Sequence, residues 1–526
     1  MIRTTLLIVY VVVLAWYARR NWFVSLCGLL LLMAVVQHPD MPRNVAGIQG
    51  LNPWNVLLLS VVVNWLMQRR REGLTWDMPR GTVALLVLYG AFVTVAFLRM
   101  IGDRRHLEEF SIAFLVSEHF INCIKWVLPG LILYDACRTR ERVMTALLVI
   151  LAIYFLLAVQ VIKWMPLSTA LSGDELSYRA SKILQNEIGF NRVNMSMLLA
   201  GASWATAAAT LLFERKSIKF ALLAAAVVVV LGQALTGGRT GYGVWALIGI
   251  SFGFLRWRRM LLVVPVAAAI VFTFLPGVSE RLLQGFGGRQ GALEVEADEY
   301  TITSGRNLIW PYVIDEIKKA PVFGHGRLAM NRLGISQVLR DELDEDFGHP
   351  HNAYLEMLLD NGWVGLSLVL SFYLLVLQRS VVLFTSTADD VQVAVGGAAL
   401  ALVLALLIAG IGSQTFYPRE GSVGMWAVIG LATRVHASRL RTSQGSRIAS
   451  RRTVELTASI PAVRPRDWQP MPAKGYAQGW RPWRPGPKRQ TPDAPIADTQ
   501  LRAVASRQPF DWRQPRRGRR TLPSVR

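Results

Sequence analysis

Apolar residues in this chain come in long blocks rather than in strict alternation with polar ones. Clean runs of roughly 15–22 residues recur, about the length a helix needs to cross the hydrocarbon core of a bilayer. They lie near 5–18, 22–37, 54–68, 82–101, 118–135, 143–162, 194–213, 218–236, 240–256, 260–276, 363–385, 392–411 and 422–436. A segment inside lipid must satisfy its own backbone groups, and helices do so without edges. The pattern therefore predicts an all-α polytopic membrane protein of about thirteen transmembrane helices, within a range of 12–14.

The polar breaks between runs set the orientation. Arg19-Arg20, Arg69-Arg70-Arg71 with Arg80, Arg138 with Arg140, Lys216 with Lys219, and Arg256 with Arg258-Arg259 fall in alternate short loops. Such basic loops stay in the cytoplasm. The first apolar run lacks a small-residue cleavage pattern and its basic pair follows it, so it reads as a retained span. The opposite face receives one long extracytoplasmic loop, 277–362, with 14 Asp+Glu against 8 Lys+Arg.

Composition sharpens this picture at the C-terminus. The chain has 526 residues, is 52% hydrophobic and carries a net charge of +22. From 437 onward there are 20 Lys+Arg and 5 Asp+Glu, together with 12 of the 24 prolines. Most of the positive charge thus sits in one tail, and it is no nucleic-acid footprint. Residues 437–526 read as a disordered basic Pro-rich cytoplasmic tail, suited to the anionic inner leaflet or to no contact at all. Three units follow: 1–185, N-terminal helices; 186–436, a membrane domain including the loop 277–362; and the tail. Cys27, Cys123 and Cys137 have no metal or disulfide spacing.

Candidate chemistry gathers on the outer face. Gly348-His349-Pro350-His351-Asn352-Ala353-Tyr354-Leu355-Glu356 stands where the chain re-enters the membrane, an expensive place for polar groups. A helix is expected to start there, with His351 on the face of Tyr354 and Leu355, and to end at Asp360-Asn361-Gly362. Neutral His351 can accept a proton from a hydroxyl near neutral pH. Gly237-Gly238-Arg239 forms a tight turn whose arginine suits phosphate. Thr303-Ser304-Gly305-Arg306 opens an amphipathic helix, with Ser304 as its cap and Trp310, Val313, Ile314 and Ile317 on one face. Arg192 adds charge at the mouth of a span, Asn352 and Tyr354 can orient His351 or a sugar, and His349 is a further polar contact. His349 and His351 near Asp344, Glu345 and Asp346 leave metal binding as a competing chemistry, although no specific zinc spacing is present.

These residues resemble the O-antigen ligase-like membrane protein family, the ligases and polymerases of O-antigen and exopolysaccharide. The resemblance rests on His351-Asn352-x-Tyr354-Leu355-Glu356, Asn361-Gly362-x-x-Gly365, Ser304-Gly305-Arg306, Pro321-x-x-Gly324-x-Gly326 and Gly238-Arg239, in that family's order. It implies a GT-C-like fold and a metal-independent inverting glycosyltransferase without cofactor, in a bacterial inner (plasma) membrane with its active site on the periplasmic face. The donor would be a polyprenyl-diphosphate-linked glycan, the acceptor a glycan or lipid A–core, and membrane lipids the surroundings. His351 would be the catalytic base. Arg239 and Arg306 would hold the diphosphate, with Arg192, His349, Asn352 and Tyr354 binding substrate around them.

Two other classes compete. A lipid-linked glycan transporter or flippase would keep charge at mid-membrane depth, whereas most predicted spans here are clean. No Gly-rich nucleotide loop ending in Gly-Lys-Ser/Thr is present. A non-catalytic partner of a polysaccharide assembly complex would depend on the basic tail.

Overall fold

The computed structural model describes residues 2–44, 50–262, 276–284, 303–343, 347–413 and 415–458, with a few positions between 265 and 295. The chain divides into two units, Met1–Ala437 and Ser438–Arg526. In the second unit the described residues, 438–458, are helical. This differs from the expected disorder, and the first tail proline, Pro461, comes only after them. The rest of the expected tail lies outside the described residues.

Helices occupy twelve of the thirteen predicted runs, and the remaining run, 260–276, is described only in part. In chain order they are α1 (Ile2–Leu31), α2 (Pro53–Arg71), α3 (Arg80–Gly102), α4 (Ile112–Val116), α5 (Asn122–Ala136), α6 (Arg140–Trp164), α7 (Gly173–Ile183), α8 (Arg192–Ala209), α9 (Lys216–Leu235) and α10 (Arg239–Leu255). Then follow α11 (Pro276–Leu283), α12 (Arg306–Lys319), α13 (Ala329–Arg332), α14 (Ile335–Leu343), α15 (Ala353–Phe384), α16 (Asp390–Ala409) and α17 (Val423–Ala458). A short antiparallel hairpin pairs Gly288–Gln290 with Leu293–Val295.

Eight helices among the described residues are long and apolar enough to cross a membrane. The gap from thirteen has physical reasons. α10 has only 17 residues, and α2 carries Asn55, Asn64, Gln68 and three terminal arginines. The span that includes α1 is broken at Asn21 (φ −150°, ψ 85°). Across that break the Tyr10 hydroxyl donates to the Gly28 carbonyl at 2.9 Å, and Ser25 Oγ to the Leu14 carbonyl at 2.7 Å. In a straight helix residues 10 and 28 would stand about 27 Å apart. The two halves therefore fold back on each other, which recovers the separate runs 5–18 and 22–37.

α8 and α16 are the most enclosed spans. Both are rich in small residues, and a Cβ on Gly201 would stand 2.8 Å from the Ala405 Cβ. Lipid supplies no hydrophobic drive between helices, so close backbone approach is what holds such pairs. Outward-facing Leu6, Val12, Leu59, Val87 and Phe220 are exposed, as a lipid-facing surface requires.

The predicted basic loops meet at one end of the bundle. Arg69 and Arg138 both bond to buried Asp135, Arg434 bonds to Asp77 at 2.9 Å, and Arg140 to Asp389 at 2.7 Å. The candidate residues gather elsewhere, around the N-terminus of α15.

α15 is itself broken, at Gly362 (φ 63°, ψ −167°). The break frees backbone groups that must find partners. Segment 321–326 supplies them. Trp363 N–H donates to the Pro321 carbonyl at 2.8 Å and Val364 N–H to the Val322 carbonyl at 3.2 Å. His325 N–H donates to the Leu359 carbonyl at 2.8 Å and Gly326 N–H to the Asp360 carbonyl at 2.7 Å. A Cβ on Gly362 would lie 2.3 Å from the Val322 carbonyl, and one on Gly324 would lie 2.5 Å from the Asn361 nitrogen. The Pro321-x-x-Gly324-x-Gly326 and Asn361-Gly362 motifs are thus two halves of one joint. It ends the first part of α15 where Asp360-Asn361-Gly362 predicts.

Candidate functional site

Three of the predicted arginines hold the same local position. Arg192, Arg239 and Arg306 are the first residues of α8, α10 and α12. His351 immediately precedes the cap of α15. Helix N-termini carry positive potential and free N–H groups, so this placement adds to the side-chain charge.

The turn before Arg239 has Gly237 at φ 63°. A Cβ on Gly238 or Gly241 would collide with Ser196 of α8, at 2.5 and 1.9 Å. These glycines seat α10 against α8; the sequence pattern suggested anion approach for the turn. Arg239 then reaches across to the loop, donating to the Gln284 carbonyl at 2.8 Å and Ser304 Oγ at 3.1 Å. The Gly238-Arg239 and Ser304-Gly305-Arg306 motifs are in direct contact.

Ser304 is not the cap of α12. It stands at φ 56°, Gly305 at φ 75° occupies the cap position, and no side-chain cap bond forms. Of the expected face Trp310, Val313, Ile314 and Ile317, Val313 and Ile317 are buried, in line with Ile309 at four-residue spacing. Ile314 stays exposed, and Trp310 Nε1 donates to the Pro350 carbonyl at 3.1 Å. Trp310 thereby ties the arginine helix to the histidine loop.

His351 adopts φ 52°, a left-handed conformation that costs a non-glycine residue about 1–3 kcal/mol. Asn352 caps α15, its Oδ1 accepting from Tyr354 N–H at 2.9 Å and Leu355 N–H at 3.1 Å. The helix begins at Ala353, so His351 lies outside it and the expected shared face with Tyr354 and Leu355 does not form. Tyr354 turns to the Leu407 carbonyl at 2.7 Å. Asn352 holds the backbone next to His351, and Tyr354 ties this end of α15 to α16. The His349 and His351 rings are 4.1 Å apart, and the His351 N–H donates to His349 Nδ1 at 3.2 Å.

Arg306, His349 and His351 line one cavity of about 400 Å³. Burial, His349 and Arg306 hold the His351 imidazole down to about 3, with Glu356 acting in the opposite sense. Burial also lowers His349, which Glu356 opposes and Arg419 and Arg327 reinforce. Both rings are neutral at pH 7; the His349 lone pair accepts the His351 N–H, which leaves the His351 ring as the candidate base. Among the described residues the buried Arg306 Nε has no hydrogen-bond partner, and burial lowers that side chain's pKa. Arg306 also lines a second, apolar groove with Trp310, Val244, Leu247, Ile408 and Ile411. It stands between the two spaces.

Arg192 does not line this cavity, although its neighbours Asn191 and Val193 do. It donates to Ser177 Oγ at 2.8 Å, with Arg239 and Arg281 as electrostatic neighbours. Buried Arg281 is a cation that sequence reasoning missed; its Nε donates to the Gly237 carbonyl at 3.3 Å. Arg327 was missed too. It donates to Glu356 at 2.8 Å and Asp360 at 3.2 Å, and stacks 3.5 Å from the centre of the Tyr417 ring. Burial acts to lower its pKa, but Glu356, Tyr417 and Asp360 outweigh it and raise it. A signal was present, since Arg327 directly follows the glycine motif that seats the α15 joint. Across the cavity, Ser117–Ile121 forms a π-turn linking α4 and α5, and it presents Glu118 and His119. Such turns are frequent at functional sites. The acidic positions 344–346 of the metal alternative lie outside the described residues.

Comparison with known proteins agrees with the motifs. Residues 220–370 match the family described as O-Antigen ligase. An uncharacterized protein of Haemophilus influenzae is 26% identical over 167 residues, covering 29% of this chain and 42% of that protein. The alignment thus spans less than half of that relative. The matched segment 220–370 contains Arg239, Arg306 and His351, and it supports an O-antigen ligase-like family for this multi-pass membrane protein.

Proposed function

We propose that this protein is a membrane glycosyltransferase that moves a glycan from a polyprenyl-diphosphate carrier onto a sugar hydroxyl during polysaccharide assembly. Arg306 carries the reading, because its buried, unpartnered Nε lies between the cavity of His351 and the apolar groove. A diphosphate at Arg306 and Arg239 would have its lipid chain along Val244, Leu247, Ile408 and Ile411 and its sugar toward His351. The acceptor oxygen attacks the anomeric carbon from the face opposite the diphosphate, which inverts the configuration. The carbon–oxygen bond to the diphosphate breaks, and its electron pair leaves with the phosphate. His351 takes the acceptor proton.

Fixed cations stabilise the departing diphosphate. The bound anion also raises the proton affinity of His351, bringing its low pKa toward the range where a base is effective. The cationic side chains can supply this stabilisation without a metal. The site belongs to the periplasmic face of a bacterial inner membrane, opposite the basic loops.

The test uses full-length protein in detergent, a polyprenyl-diphosphate-linked repeat unit, and lipid A–core present or absent, with chelator in parallel. A ladder without lipid A–core identifies a polymerase, and a single core-dependent shift a ligase. Either product must survive chelator and disappear in His351→Ala. Product equal to wild type in His351→Ala, Arg306→Ala and Arg239→Ala together would refute the proposal. Translocation is a second reading, favoured by the break in α15, since transporters use broken helices. Movement of a labelled lipid-linked sugar across vesicles of pure protein would support it.

A further inference from the structure

A second cavity, about 1200 Å³ in volume, shares no lining residue with the cavity of His351. It runs beside the whole length of α2, from Asn55 to Glu72, and meets the turn at Asn21. Arg19, Arg20, Arg69, Arg71, Arg138 and Arg142 line its basic end. Among the described residues two carboxylates, Glu72 and Asp135, share the wall. Asp135 already holds Arg69 and Arg138, and Glu72 accepts from Gln68. Arg142 donates to the Ala136 carbonyl at 3.2 Å, while Arg19, Arg20 and Arg71 are exposed.

α2 presents two adjacent stripes to this space. Ser60, Asn64 and Gln68 repeat every fourth residue, and Leu59, Val63 and Met67 run beside them. The polar stripe is settled locally, with Ser60 Oγ on the Ala15 carbonyl and Asn64 on the Ser60 carbonyl, both at 2.8 Å. The apolar stripe is exposed, Leu59 at 65% and Met67 at 47%. Basic loops are expected at the cytoplasmic end of any span. That rule does not account for a cleft that joins an arginine cluster to an exposed apolar track inside the bilayer.

We infer that this cleft is a binding site for an anionic phospholipid, whose phosphate headgroup sits among Arg19, Arg20 and Arg71 and whose acyl chain lies along Leu59, Val63 and Met67. Basic pockets between membrane helices recognise such headgroups. A second copy of the chain is a poor occupant, because it would bring the same excess of arginine to the contact. The site lies away from the transfer machinery, and the inference stands whether or not transfer is the activity.

Full-length protein is tested by native mass spectrometry from micelles containing phosphatidylglycerol or phosphatidylcholine, and separately with inorganic phosphate. The wild type should retain phosphatidylglycerol at least tenfold better than phosphatidylcholine. The triple variant Arg19→Gln, Arg20→Gln, Arg71→Gln should lose that preference, and the matching triple lysine variant should keep it. All three positions are exposed, and the lysine variant preserves the charge of the basic loops, so it controls for insertion. Equal retention of the two lipids, an unchanged preference in the glutamine variant, or inorganic phosphate bound as tightly as the lipid would overturn the inference. So would a dimer that the glutamine variant dissociates with lipid retention unaltered.

Discussion

Arg306 and Arg327 line the same cavity and have opposite surroundings. Arg327 lies among Glu356, Asp360 and the Tyr417 ring, and Tyr417 in turn donates to Asp360 at 3.0 Å while accepting from Asn361 at 2.6 Å. Arg306 has Arg239 and His351 as electrostatic neighbours. Both leave Nε buried without a partner, so the difference lies in what neutralises each charge. A buried cation set among carboxylates is a structural member, and removing it strands the charges around it. A buried cation facing other cations is stable only while modestly solvated, and it gains most when an anion arrives. One wall of the cavity sets its cation among carboxylates; the other sets its cation beside further basic groups.

Substitution should separate the two walls. Arg327→Ala leaves Glu356 and Asp360 without their cation, so stability should fall by about 3–5 kcal/mol, read as a lower thermal midpoint in detergent. Activity would be lost as a consequence. Arg306→Ala and Arg239→Ala should cost about 10²–10³-fold in transfer while the thermal midpoint stays near wild type. A destabilised Arg306→Ala beside a stable Arg327→Ala would reverse the assignment of the walls.

The joint beneath the cavity gives a smaller effect. Gly362→Ala forces a side chain into the Val322 carbonyl and into a left-handed conformation, at a cost of about 1–3 kcal/mol. Because His325 and Gly326 are bonded to the same joint, the loss should appear in stability and transfer together.

Proton linkage adds a further test. His351 titrates near 6.5 in the unfolded chain and at about 3 in the folded one. Between these values the unfolded state binds more protons, so stability falls as pH drops from about 6.5 toward 3. His351→Gln should flatten that part of the thermal-midpoint profile. The smallest change expected is Asn352→Ala, which removes a helix cap worth about 1 kcal/mol and loosens the backbone next to His351.

The reach of the sequence differed between these elements. Apolar runs were readable because lipid imposes one length and one backbone solution. Arg239, Arg306 and His351 stood out as candidates because glycine or proline marks the chain entry beside each. The positive φ of Ser304 and His351 was not, since it follows from Trp310 holding Pro350 and Arg239 holding Ser304 across the fold. Arg281 and Arg327 were hidden for the same reason: each lies in the long loop, and its partners come from distant segments. Asn352, read as a site residue, proves to be the cap whose bonds keep His351 outside its helix.

The central claim is that His351 acts on the acceptor while the arginines hold the donor. The direct measurement follows donor binding and a single turnover in the same preparation of His351→Ala. Donor affinity equal to wild type with no product formed is the predicted result. Product at the wild-type rate would contradict the account.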